Sequence, residues 1–385
     1  MKIIAFYLPQ FHEIEENNRL WGKGFTEWTN VKKARALFEG HFQPVEPLDN
    51  NYYDLTHVET LYWQAKLAEA YGIYGFCFYH YWYNGHLLLQ KPIEIFLKNK
   101  EINIPFCLCW ANHDWTTSWS DNKKEVIFRQ NYTDKKEWKA HFDYFLPYLK
   151  DERYIKKDGK PLLIIYEAAN ILEMNDILDY WRSLACEAGL RGIEYAYQSA
   201  TADTIFGFDD SRYSYNIEYQ PQYARLLSYN KRKMIFSHTI LDIIRKINYK
   251  TFRFDIEKIF KKIRKEKLTI YDYDDLWKRI LRMGPITKKS IPGAFVKMDT
   301  TPRMGMKGVV TQGMTPGKFK YYLKEQIERA KDVYKQDMLF LFAWNEWAEG
   351  GYLEPDKQWG YGVLEAVKEA LKETGEMPGT KREGE

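Results

Sequence analysis

Much of what this 385-residue chain could do is narrowed by what it lacks. It has four cysteines, Cys77, Cys107, Cys109 and Cys186, mostly inside apolar runs and with no Cys-x-x-Cys pair. Its eight histidines are scattered, and none belongs to a His-Glu-x-x-His, so no metal site is expected. Neither Gly-x-Gly-x-x-Gly nor Gly-x-x-x-x-Gly-Lys occurs, which argues against both familiar nucleotide cradles and leaves no cofactor implied. The aromatic loops described below hold no Asp-x-Asp, and the acidic Asp272-Tyr273-Asp274-Asp275 lies away from them in a basic stretch, a poor candidate for a diphosphate site. No run of 18 uninterrupted apolar residues is present, so no stretch reads as a membrane span. Met1 to Gln10 is too short and too soon interrupted for a secretory leader. The expectation is a soluble protein of a reducing compartment, cytoplasmic, at most peripheral to a membrane.

What is abundant is aromatic side chains. There are 13 Trp, 30 Tyr and 22 Phe, 17% of the chain, many of them beside polar loop residues, where flat rings suit the apolar faces of sugars. Many must also fill the core. Short apolar runs recur along the chain: Lys2–Leu8, Ile73–Tyr81, Pro105–Trp110, Pro161–Tyr166, Ile193–Gln198, Tyr213–Tyr219, Phe295–Met298 and the run that starts at Met338. Stretches of helical periodicity lie between them, among them Asp54–Tyr71, Trp138–Leu149, Asn175–Ala188 and Gly362–Lys372. Eight strands alternating with helices predict an α/β fold, a (β/α)₈ barrel, as one domain over 1–372 with a flexible tail at 373–385. A doubly wound sheet is the competitor, but no glycine-rich turn follows the first strand.

One segment departs from a minimal barrel. Residues 225–290 hold 19 Lys or Arg and 7 Asp or Glu, a net +12 in a chain of +4, so the remainder is about −8. Apolar residues are interleaved with these charges, which predicts a basic, mainly helical insertion between strands 6 and 7. A solvated lid is one reading, and peripheral contact with an anionic membrane or a phosphate-bearing substrate is another. No motif supports nucleic acid as a partner.

Polar and aromatic residues collect where the strands end, the position of barrel active sites. The last strand runs into Trp344-Asn345-Glu346-Trp347-Ala348-Glu349-Gly350. Paired carboxylates beside aromatic rings are the equipment for glycosidic-bond chemistry, and Glu346 and Glu349 are the candidate catalytic pair. An acid walled by Trp344 and Trp347 would have its charged form disfavoured. The other strand-end and loop residues singled out as substrate-binding are His12, Glu27, Trp28, His80, Trp82, Trp110, Asn112, His113, Trp115, Glu218, Arg303 and Asn345. Arg303 suits a phosphate, a carboxylate or an internal acid equally well.

Four stretches, Phe6-Tyr7-Leu8-Pro9-Gln10-Phe11-His12, Gly24-Phe25-Thr26-Glu27-Trp28-Thr29-Asn30-Val31, Trp110-Ala111-Asn112 and the Trp344–Gly350 segment, resemble the WbsX-like polysaccharide-biosynthesis proteins. Those proteins are also described as having a domain similar to family 99 glycoside hydrolases. The resemblance implies a (β/α)₈ barrel acting on bacterial surface polysaccharide such as O-antigen or capsule, with an oligosaccharide or lipid-linked glycan as substrate. By analogy with the family 99 endo-α-mannosidases, Glu346 would act as base on a sugar 2-hydroxyl, giving a 1,2-anhydro intermediate. Glu349 would be acid and then base, and the outcome would be retention. Glu354 resembles the acid that follows this motif in the hydrolases. Ala348 and the basic insertion look less like them. Three readings follow: a glycosidic-bond enzyme using the pair, a transferase with a nucleotide- or lipid-linked donor, and a non-catalytic glycan-binding barrel.

Overall fold

In the computed structural model, residues 1–116, 126–169, 171–227 and 267–378 are described. Eight strand positions form the barrel wall: β1 (Lys2–Tyr7), β2 (Gly75–Tyr83), β3 (Phe106–Trp110), β4 (Lys160–Ile165), β5 (Glu194–Gln198), β6 (Tyr215–Ile217), β7 (Gly293–Phe295) and β8 (Met338–Phe342). Every barrel pairing is parallel. Strands β1 to β6 pair in sequence order and β1 also pairs with β8.

Closure depends on an extended segment that a proline divides. Ser290–Ile291 pairs with β6, whereas β7, two residues on, pairs with β8. Pro292 between them has no N–H to donate, but its carbonyl accepts from Phe340 N at 3.2 Å. The wall is thus nearly closed by nine pieces in eight positions, the (β/α)₈ architecture expected. The seventh strand begins before the run Phe295–Met298 that the apolar pattern picks out.

The main helices between and after the strands are α1 (Val58–Ala70), α2 (Lys91–Lys98), α3 (Lys135–Leu149), α4 (Met174–Glu187), α5 (Ala202–Phe206), α6 (Tyr273–Arg282), α7 (Pro316–Asp332) and α8 (Gly362–Glu373). Most of the basic stretch 225–290, residues 228–266, lies outside the described residues, as does 379–385 of the expected tail. Within the described part of that stretch, Thr269–Asp272 is a short strand paired in parallel with Val309–Gln312. Asp272 then caps α6 by accepting from Asp275 N at 2.8 Å. Among the described residues no helix is long and apolar enough to cross a membrane.

Because barrel strands are buried on both sides, alternation decides which side chains face inward. On β2, Tyr79 meets Phe6 and the Tyr219 hydroxyl inside the barrel, whereas Phe78 packs on Phe96 of α2 and His80 on His141 of α3. That split determines what reaches the rim.

Candidate active site

The site is assembled around one buried arginine. Arg303, in a short helix, Thr301–Met304, after β7, has a side chain only 6% exposed and meets three carboxylates. Its Nε donates to Glu27 at 2.7 Å, one terminal nitrogen lies 3.3 Å from Glu346, and the other is hydrogen-bonded to Glu349. Three separate elements supply these acids. Glu27 opens a helix, Glu27–Lys33, in the loop after β1, where its own N–H is held by the Gln10 carbonyl at 3.0 Å. Glu346 sits in a two-residue strand, Asn345–Glu346, beyond β8, paired with Gly351–Tyr352. Glu349 ends the 3₁₀ turn Trp347–Glu349, which brings acids three residues apart onto one guanidinium.

The electrostatics of the pair are unequal. Burial, and then the charge of Glu349, push Glu346 up to about 8, against the pull of Arg303. It therefore holds a proton at neutral pH. Glu349 is the more accessible, with 28% of its side chain exposed. Arg303 loses solvation on burial, but Glu27, Glu349 and Glu346 together raise its pKa above the usual value.

The turn that carries Glu349 is pinned from below. Asp299 N donates to the Glu349 carbonyl at 2.6 Å, and the Asp299 carboxylate is gripped by His41, Gln43 and Thr301. Those hydrogen bonds outweigh burial and hold Asp299 below the usual carboxylate range.

Four tyrosines lie within electrostatic reach of the pair: Tyr79, Tyr81, Tyr166 and Tyr219. Burial first, then neighbouring tyrosines and acids, raise all four hydroxyls, which stay protonated and able to donate. Nothing local in the sequence marks these tyrosines as site residues. They sit on the inward parity of β2 or just past β4 and β6, a signal available only once the inner face is known.

The model of the family described as Glycosyltransferase WbsX matches residues 3–367. The chain belongs to that family. Its curated relatives include the uncharacterised WxcX proteins of two strains of Xanthomonas campestris pv. campestris, each 32% identical over 96% of this chain. This WbsX-family chain spans about half the length of those relatives, 49% in each case. Among solved structures, a GH99 endo-α-mannosidase from Bacteroides thetaiotaomicron superposes with a TM-score of 0.54 at 12% identity, covering 97% of both chains. A glycoside hydrolase-like protein reaches the same TM-score at 13% identity, covering 96% of this chain and 93% of that one. These likenesses are of fold.

In the WbsX-family barrel the remaining singled-out residues divide. Trp115 stands edge-on to Tyr81 at 5.3 Å, and the His113 ring lies 5.3 Å from Tyr166, so both border the tyrosine wall. His12 is buried, and burial lowers its pKa to about 4.

The others point elsewhere. His80, Trp82 and Trp110 gather on His141 beneath α3, on the outward parity of their strands. Trp344 packs on Phe76, also outward. Trp347 stacks on Tyr352 at 3.9 Å and donates to Glu354 at 2.6 Å, with Trp28 against its ring. The two tryptophans expected to wall the acids are therefore packed behind them. Glu354 is satisfied by Tyr53, Gln64 and Trp347, and burial raises it to about 7. Glu218 is likewise raised to about 7 by burial and accepts from Tyr334 at 2.7 Å, outside the wall.

The two asparagines are splints. Asn345 Oδ1 accepts from Leu8 N at 2.8 Å while its Nδ2 donates to Leu8 O at 3.0 Å. Asn112 does the same to the main chain of Glu167, at 2.7 Å in both directions. Each extends the ladder one step past the strand ends with an amide side chain. Among the described residues no cluster of His, Cys, Asp and Glu could hold a metal ion.

Proposed function

We propose that this chain is a carbohydrate-active enzyme that makes or cleaves an α-glycosidic, mannoside-like linkage in bacterial surface-polysaccharide metabolism, with Glu346 and Glu349 as the reacting pair. One observation carries the reading. A single buried arginine holds both acids, one pushed up to about 8 and the other partly open to solvent. Such an arrangement keeps a proton on Glu346 through neutral pH beside a second, more open carboxylate, and general acid–base work at a glycosidic oxygen needs such a proton. The family membership and the barrel shared with an endo-α-mannosidase support the same class of substrate.

In the retaining route, the proton resident on Glu346 first passes to Glu349. Ionised Glu346 then takes the proton of the sugar 2-hydroxyl as that oxygen attacks the anomeric carbon. The bridging oxygen leaves with the bonding pair and takes the proton from Glu349. In the second half Glu349 deprotonates the incoming acceptor, whose oxygen opens the 1,2-anhydro ring, and the 2-oxygen recovers its proton from Glu346. Two displacements at one carbon give retention.

The test is incubation with α-mannosides and lipid-linked oligosaccharides, with products read by mass. Wild-type turnover that disappears in Glu346→Gln and in Glu349→Gln, both still folded, supports the reading. Glycan binding without turnover on any of these substrates would instead fit a binding barrel, and full activity in either variant would sink the pair.

A further inference from the structure

What leaves the anomeric carbon marks the kind of glycosyl donor, and a cavity beside the acidic centre bears on that. Arg303 has another side. With Trp21, Phe25, Asn30, Lys33 and Arg35 it helps line a cavity of about 410 Å³, within the roughly 300–1,000 Å³ typical of small-molecule sites. Asn30, buried in this wall, also reaches Glu27 at 3.4 Å, so the cavity adjoins the acidic centre. The helix Glu27–Lys33 packs on the Trp347–Glu349 turn and on the Thr301–Met304 helix, which fixes the cavity against the pair.

The lining includes three cations and no carboxylate. Arg303 is neutralised by its acids on the other side, but Lys33 and Arg35 are exposed and make no ion pair with a described residue. Lys33 also suits the C-terminal end of its helix, where a cation is favoured on its own account. Arg35 lies beyond that helix and has no such reason to be there. Lys32, one residue before Lys33, has a different partner and stands 4.0 Å over the Tyr52 ring. An anion in the cavity would meet both cations, and a guanidinium fork matches phosphate oxygens. The Trp21 and Phe25 rings, 5.8 Å apart, give the cavity an apolar flank for whatever the phosphate carries.

We propose that this cavity is a diphosphate subsite, taking the leaving group of an activated glycosyl donor. The inference rests on the glycosidic-bond reading above and makes the reaction a transfer. The bond from the anomeric carbon to the phosphate oxygen breaks, and the diphosphate keeps the bonding pair. The acceptor hydroxyl oxygen ends up bonded to that carbon, and its proton passes through the Glu346–Glu349 pair to water. A diphosphate leaves as a stable anion, so the site stabilises its charge. The carrier on the diphosphate is a nucleoside or a lipid.

Calorimetric titration with inorganic pyrophosphate tests the shared chemistry, and titrations with GDP and geranyl diphosphate separate the carriers. The expected result is pyrophosphate binding that weakens with salt and falls at least tenfold in the Lys33→Ala, Arg35→Ala double variant. The surface control Lys139→Ala should bind as wild type does. Tighter binding of GDP than of pyrophosphate supports a nucleotide donor, and tighter geranyl diphosphate a lipid donor. No pyrophosphate binding, or binding unchanged in the double variant, overturns the subsite. That failure is separable from failure of the Glu pair: an enzyme inactivated by Glu346→Gln but blind to pyrophosphate keeps the acids and loses the subsite. Both variant positions are exposed, and a thermal melt checks that the double variant folds.

Discussion

The Arg303 Nη2 and Glu346 Oε2 atoms lie 3.3 Å apart, and the same guanidinium also holds Glu27 and Glu349. One cation therefore ties the three carboxylates of the centre together. Replacing it by methionine keeps much of the volume and leaves buried Glu27 without its ion pair. The expected loss is about 3–5 kcal/mol, the usual consequence of removing one partner of a buried pair. Glu346 should rise further above about 8, because Arg303 is the group that pulls it down. A chemical melt and the alkaline limb of the rate profile check the two effects.

Activity should follow the proton carried by Glu346. With Glu346 at about 8, turnover is expected to fall as the pH rises through that region, where the proton is lost. Glu346→Gln and Glu349→Gln should each cost about 10²-fold or more in kcat. A pH–rate profile of wild type that stays flat to pH 10 would contradict the assignment.

Stability carries the same signature with a definite sign. The ordinary value for a glutamate is 4.5, and in the fold Glu346 reaches about 8 and Glu354 about 7. Their contributions are fully present below the unfolded value and are lost as the pH rises through the folded ones. These two groups therefore withdraw stability between about pH 5 and 8, while the buried neutral His12, His80 and His141 oppose them up to about 6.5, so the net loss in wild type is expected above that value. Glu346→Gln should lose less over that window, so the gap between the two melting curves widens in the variant's favour. A constant gap would show that Glu346 does not titrate there.

Asn345 and Asn112 predict a structural phenotype. Asn345→Ala leaves the N–H and C=O of Leu8 without this partner, and each buried group so stranded costs about 1–3 kcal/mol. Asn112→Ala should behave alike at Glu167. Unchanged melting temperatures with lost glycan affinity would mean that these amides read substrate after all.

Gly350 tests the turn. Its φ is +72°, and a β-carbon there would come 2.8 Å from Asp299 N, the donor that holds the Glu349 carbonyl. Gly350→Ala should cost about 1–2 kcal/mol in backbone strain alone. It should also lower kcat by more than tenfold while KM moves little, since Glu349 is displaced and the rest of the site is not. Steady-state kinetics separate the two constants.

How far the sequence leads is clearest on β2. Its run Gly75–Tyr83 is legible as a buried strand, and its polar end as rim. The choice of His80 and Trp82 as site residues takes the wrong parity, because both faces of a barrel strand are apolar and neither is marked as inner. Tyr79 and Tyr81, one residue away, are the ones near the acids. The tryptophans flanking Glu346 mislead for a related reason. A 3₁₀ turn follows Glu346, and extended spacing does not predict where its rings go.

Sequence alone was sufficient for the alternation of strands and helices, the eight-fold count and the pair Glu346 and Glu349 at the end of the last strand. These follow from local periodicity and from residue type, which need no partner to be read. Only the tertiary structure could bring Arg303 to Glu27, Glu346 and Glu349, separated by up to 276 residues. Burial and the charge of Glu349 raise Glu346 against the pull of the common cation, while Glu349 stays the more open, and both are properties of the closed barrel rather than of any segment.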